Sequence, residues 1–92
     1  MSAAKTASYI GIIRSFLEGK ISAVQFEQAY LPLFKSDSGF TEAEFAVLDA
    51  LFADIDAFVA DPKLRERGDL DEQQLRIKSA SALQRLQSLV GG

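Results

Sequence analysis

The stretch FAVLDALFADIDAFVADPKLRERGDLDE, Phe45 to Glu72, decides the fold and holds the candidate site. Its first half carries Phe45, Leu48, Phe52, Ile55 and Val59 at steps of three and four, with Leu51 and Phe58 widening the apolar stripe. That period belongs to a helix packed on a core. Asp49, Asp54 and Asp56 lie between these residues, and Asp61, Glu66, Asp69, Asp71 and Glu72 follow them. One segment thus supplies a core helix and most of the negative charge.

Thr41 with Glu44 three residues on forms a capping-box pattern, and Phe40 before it is placed to staple onto Phe45. Asp61-Pro62 ends the helix, because a residue before proline avoids the helical region, and Asp61 is suited to cap the turn that Pro62 begins. The spacing therefore predicts a helix over 42–60. Upstream, Ser22 with Gln25 opens a second helix over 22–35 with Phe26, Tyr30, Leu33 and Phe34 on its apolar face; Pro32 predicts either a kink or an end near Leu31. The first helix, over 4–18, carries Tyr9, Ile12, Ile13, Phe16 and Leu17, with Gly11 suited to a close helix approach and Gly19 to a left-handed stop. Asp71 with Gln74 starts the last helix, over 71–90, whose inner face holds Leu75, Ala82, Leu83, Leu86, Leu89 and Val90, with Ile77 to the side. No segment alternates with period two. The expected fold is all-α, a small antiparallel four-helix bundle formed by residues 1–92 as a single helical domain. Its expected core joins Phe16, Phe26, Leu48, Phe52, Ile55, Leu83 and Leu86, with the hydroxyls of Tyr9 and Tyr30 at the edge.

Composition narrows the chemistry. Hydrophobic residues make up 48% of the 92, which argues against disorder. No run approaches the ~18 apolar residues of a membrane span, and the start MSAAKTASYIGII lacks the pattern of a signal peptide, so a cytoplasmic protein is expected. There is no cysteine and no histidine. Thiol nucleophiles, Ser-His triads and His/Cys zinc sites are excluded, and an enzyme would have to work with carboxylates, lysine or tyrosine alone. The expectation is no catalytic residue, no cofactor and no metal.

Charge is unevenly placed. Residues 1–41 set Lys5, Arg14, Lys20 and Lys35 against Glu18, Glu27 and Asp37, a net +1. Residues 42–72 set Lys63, Arg65 and Arg67 against Glu42, Glu44, Asp49, Asp54, Asp56, Asp61, Glu66, Asp69, Asp71 and Glu72, a net −7. Residues 73–92 hold Arg76, Lys78 and Arg85 and no acid, a net +3. A concentrated acidic face repels nucleic acid and attracts basic surfaces. The acids do not spell a calcium loop. Counted from Asp54, the sixth and twelfth positions are Val59 and Arg65; counted from Asp61, cations interrupt the ligands at Lys63 and Arg65. The run Lys63–Arg67 is short and flanked by acids, which fits local charge compensation better than phosphate binding.

Three blocks in order, FLEGKISAVQFEQAYLPLF (Phe16–Phe34), LDALFADIDAFVAD (Leu48–Asp61) and DEQQLR (Asp71–Arg76), resemble the colicin D immunity protein family, which includes immunity proteins of contact-dependent inhibition. The likeness spans about Tyr9 to Leu86 and rests on the order and spacing of the blocks. It implies an antiparallel four-helix bundle that binds a cognate toxin, in the colicin D case a nuclease that cleaves arginine tRNA. Inhibition there places acidic side chains in the toxin's basic RNA-binding cleft. The inhibitory acids of the family lie at the end of the third helix and just beyond it. Here those positions fall on Asp56 and Asp61, framed by Leu51, Phe52 and Phe58, with Val59 where the family has a further acid and Asp54 one turn earlier.

The expected toxin-binding residues are therefore Asp54, Asp56, Asp61, Asp69 and Glu72. The expected partner is a nuclease domain with a basic cleft, bound one-to-one by a monomer, without direct contact to nucleic acid or membrane. The rival reading is a helical adaptor that binds through an apolar groove, its acids serving only solubility.

Overall fold

Three capping boxes start three of the four helices. Ser22 and Gln25 exchange side-chain and backbone hydrogen bonds at 3.1 and 2.8 Å, Thr41 and Glu44 at 3.2 and 2.9 Å, and Asp71 and Gln74 at 2.8 and 3.0 Å. Each pair satisfies amides that a helix start leaves without partners. The computed structural model describes residues 2–91, and side chains over residues 6–89. Its helices are α1 (Ser2–Leu17), α2 (Ala23–Ser36), α3 (Glu42–Asp56) and α4 (Glu72–Gly91). They form an all-α antiparallel four-helix bundle of 43 × 23 × 19 Å, in which α1 and α3 each pack against both α2 and α4. Among the described residues there is no strand beyond a single parallel bridge between Phe58 and Leu70.

Gly19 ends α1 as its position suggests. It takes φ +79°, its N–H donates to Phe16 O at 3.1 Å, and the Lys20 N–H donates to Ser15 O at 2.8 Å, the paired bonds of a Schellman stop. Gly11 has a different role from the one its sequence position suggests. It is exposed, and nothing lies within 4 Å of where a Cβ would stand, so no helix approaches it. At Pro32 the helix does not end, because α2 runs on to Ser36. The carbonyl that proline leaves without a donor belongs to Gln28, an exposed residue within reach of water.

The largest corrections fall on α3. It stops at Asp56, four residues before the expected end. Backbone groups just past that point are taken by another partner: Val59 N–H donates to Leu70 O at 3.0 Å, and Leu70 N–H donates to Ala57 O at 2.8 Å. The buried line of α3 is also rotated from the expected stripe. It runs through Glu44, Val47, Leu48, Leu51 and Ile55, while Phe45 is 49% exposed and Phe52 is half-buried. The reason is a carboxylate that apolar periodicity overlooks. Buried Glu44 accepts from the Thr6 hydroxyl of α1 at 2.6 Å as well as from the Thr41 amide, and so draws its own face of α3 inward. Phe45 and Phe52 move to the flank and meet the ring of Phe34 at 5.7 and 5.4 Å.

Phe16, Phe26, Leu48, Ile55 and Leu86 are buried together with Tyr9, Ile13, Tyr30, Leu51 and Leu75, and Phe16 stacks on Phe26 at 4.5 Å. Leu83 is half-buried, at the side of the buried line through Leu75, Ala82 and Leu86, and Leu89 is 44% exposed near the end of α4, whose twenty residues outrun the fifteen of α3. The side chain of Val90 lies outside those described. Within α4, Ser79 is fully buried and its Oγ has no hydrogen-bond partner. An orphaned hydroxyl costs roughly 1–3 kcal/mol. Ser79→Ala is therefore expected to leave stability unchanged or raise it, read as a chemical-denaturation midpoint at or above that of the parent.

Tyr9 and Tyr30 are core residues, not edge residues. Neither ring is exposed; the Tyr9 hydroxyl donates to Asp37 Oδ2 at 2.7 Å, and the Tyr30 hydroxyl to the Leu48 carbonyl at 2.8 Å. Burial is the main cause that pushes both hydroxyls well above their ordinary value of 10.0, followed by the bond to Asp37 for Tyr9 and by the nearby Tyr9 and Asp49 for Tyr30. A folded pKa raised above the unfolded one gives stability that is complete below the unfolded value and is lost as pH rises through the folded value. Stability is thus expected to fall from about pH 10 upward, and the fall to be shallower in Tyr30→Phe, as measured by denaturation midpoints across the alkaline range.

Candidate functional site

Residues 57–71 join α3 to α4 and carry Asp61, Glu66, Asp69 and Asp71, and local hydrogen bonds give this loop a defined shape. The Phe58–Leu70 bridge closes its neck. Asp61 Oδ1 accepts from the Lys63 amide at 2.9 Å and Asp61 O from the Leu64 amide at 3.0 Å, forming the turn at Pro62. Asp69 Oδ2 accepts from the Glu66 amide at 2.8 Å, Asp69 N–H donates to Glu66 O at 3.0 Å, and Gly68 between them takes φ +95°. Arg65, which the sequence suggests only as charge compensation, turns inward and donates to the Val59 carbonyl from Nε at 3.1 Å and from Nη2 at 2.8 Å.

The five expected binding residues do not form one cluster of equals. Asp56 is exposed at the last position of α3, and its carboxylate makes no hydrogen bond or ion pair among the described residues. Asp61 is exposed and shapes its turn; Asp69 is half-buried and shapes the next. Glu72 begins α4 and pairs with Arg76 at 3.2 Å. Arg76 in turn lies 4.5 Å over the Phe16 ring and donates to Phe16 O at 3.0 Å, tying the start of α4 to the end of α1. Asp54 stands apart. It lines a cleft between α3 and α4 together with Lys78, Ser81 and Arg85. Asp56 is two residues on, about 200° round the helix at 3.6 residues per turn, so the pair does not converge. The structure adds Glu66, exposed in the loop with no bond to its carboxylate among the described residues. Its charge was visible in the sequence, but only the turn geometry shows that the Glu66 amide, not the carboxylate, is the group in use.

The charge is placed against the grain of the helix. The last turn of α3 contains Asp54 and Asp56 and no base. A helix C-terminus carries the negative end of the macrodipole, and each acid there costs roughly 0.3–1 kcal/mol. Asp56→Asn is accordingly expected to stabilise the fold by about that amount, seen as a small rise in the thermal midpoint at low ionic strength that shrinks with added salt.

Among the described residues no three Asp or Glu side chains are gathered as a metal site would require. Among the described residues no helix is long and apolar enough to cross a membrane. The fold and the site define a small helical bundle with a fixed acidic end. The family model described as bacterial self-protective colicin-like immunity matches residues 5–86, and the chain belongs to that family. Its members are immunity proteins that bind a cognate toxin. No curated protein and no solved structure gives a significant match.

Proposed function

We propose that this immunity protein blocks a nuclease toxin of the colicin D type by seating its acidic end in the toxin's basic RNA-binding cleft. The observation that carries this reading is Asp56: an exposed carboxylate without a partner, held at a helix end where its charge lowers stability. Charges kept at a cost to the fold are characteristic of binding and active sites. Asp61, Asp69 and Glu72 extend the same surface along the loop and into α4, and Glu66 adds to it. Each offers an oxygen where an RNA phosphate would otherwise meet Lys or Arg, and phosphate contacts dominate the affinity of such enzymes for nucleic acid. The protein acts as a monomer, one per toxin, in the cytoplasm where the toxin's RNA target lies, and performs no reaction of its own.

The competing surface is an apolar groove at the opposite end of the bundle, lined by Ala43, Val47, Gln84, Arg85, Ser88 and Leu89. Ionic strength separates the two. Docking through the acidic end predicts an association rate with the cognate toxin's nuclease domain that falls steeply between low and physiological salt. A rate insensitive to salt, lost on Leu89→Glu, would move the interface to the groove.

A further inference from the structure

Arg65 differs from the other two bases of the acidic stretch. Lys63 and Arg67 are exposed, whereas Arg65 is half-buried and directed into its own loop. Its Nε and Nη2 both donate to the Val59 carbonyl, at 3.1 and 2.8 Å, and Nη2 also reaches the Ala60 carbonyl at 3.5 Å. Val59 is thereby held at both backbone groups, its N–H by Leu70 and its C=O by Arg65. Asp61 follows two residues later, on the far side of this anchor.

We propose that Arg65 is a positioning residue for toxin recognition: it holds residues 57–71 closed so that Asp61 and Asp69 are presented in their docking arrangement. This rests on the reading of the acidic end as the toxin-binding surface. A guanidinium is suited to the task because its planar fork carries several fixed donors, whereas an ammonium is a point charge. It makes no ion pair with an acid among the described residues, so its donors serve neutral carbonyls and leave the charges of Asp61 and Asp69 uncancelled. If the loop is competent only a tenth to a hundredth of the time without this anchor, apparent affinity falls by about ten- to a hundred-fold.

Charge and positioning predict opposite signs, which makes the test sharp. Removing a base makes the surface more acidic, so electrostatics alone predicts tighter binding of Arg65→Ala to a basic cleft. Positioning predicts weaker binding. The experiment measures binding of the full chain to a catalytically inactive form of the cognate toxin's nuclease domain, for wild type, Arg65→Ala, Arg65→Lys, Lys63→Ala and Arg67→Ala. Hydrogen exchange at Val59 and Leu70 is followed in the free proteins. The expected result is ten- to a hundred-fold weaker binding by Arg65→Ala, partial rescue by Arg65→Lys, and equal or tighter binding by the two exposed-base variants. Exchange at Val59 and Leu70 should quicken at least ten-fold in Arg65→Ala while the amides of α2 keep their protection. Binding by Arg65→Ala equal to or tighter than wild type, with wild type itself tight, overturns the positioning role alone. Failure of the wild type to bind overturns the toxin reading and the positioning role with it.

Discussion

Cells that make the toxin are expected to lose protection when Asp56 and Asp61 are both replaced by asparagine. Asparagine is the informative substitution at Asp61, because its side-chain oxygen can still accept from the Lys63 amide, the bond that shapes the turn at 2.9 Å. Alanine would remove charge and turn together and cost about 0.5–2 kcal/mol of local stability. At Asp56 no such bond exists, and the neutral side chain relieves the end of α3. Both asparagine variants should therefore fold as well as the parent. Truncating one partner of a buried interfacial charge pair typically costs about 2–5 kcal/mol, much of it the penalty of leaving the other charge unpaired. Each single variant is thus expected to weaken toxin binding by at least about 2 kcal/mol, roughly thirty-fold, by the same comparison. The double variant should lose far more. Survival of toxin-expressing cells, paired with a circular dichroism melt of each variant, is the measurement. Full protection by a well-folded double variant would place the interface elsewhere on the bundle.

The parts of this molecule that announce themselves in sequence are those governed by local rules. Capping at Ser22, Thr41 and Asp71 needs only residues three apart, and each pair forms its reciprocal bonds. Gly19 likewise acts within one turn. The failures arise where distant residues compete. Nothing near Ala57 reveals that Leu70 will take the backbone groups that a longer α3 would need. Glu44 looks like a surface cap until Thr6, on another helix, is seen to donate to it. That contact joins the burial of Val47, Leu48, Leu51 and Ile55 in setting the rotation that leaves Phe45 outward.

The candidate site divides along the same line. Charge density over 42–72 is a property of composition and is plain in the sequence. Which carboxylates are free is a property of hydrogen bonding and is not. Asp61 and Asp69 look like Asp56 in a string of letters, yet both accept backbone amides while Asp56 accepts none among the described residues. Asp54 is a sequence neighbour of Asp56, but helical geometry sets it in the cleft beside Lys78 and Arg85.

Truncation of Phe26 to alanine is expected to cost about 3–5 kcal/mol, the range for a buried phenylalanine, and truncation of Phe52 distinctly less. Sequence periodicity ranks the two alike, since each sits on an apolar stripe. Burial separates them. Phe26 is 0% exposed and sits between Phe16, stacked at 4.5 Å, and Tyr30, edge-on at 5.9 Å. Removing it opens a cavity at the meeting of α1 and α2 whose aromatic walls are held by neighbours on other helices. Tyr30 is further fixed by its bond to the Leu48 carbonyl, so it has little freedom to collapse into the gap. Phe52 lies on the flank, half-buried, with Phe34 at 5.4 Å and the Lys35 ammonium 5.9 Å over its ring. Water can fill part of the space it leaves, and the cavity penalty is correspondingly smaller. For a domain of this size each kcal/mol moves the thermal midpoint by roughly 4–8 °C. Phe26→Ala should therefore melt at least about 12 °C below the parent by that scaling. A Phe52→Ala variant that melts lower than Phe26→Ala would show that the flank cluster of Phe34, Phe40, Phe45 and Phe52, and not the interior stack, holds α2 to α3.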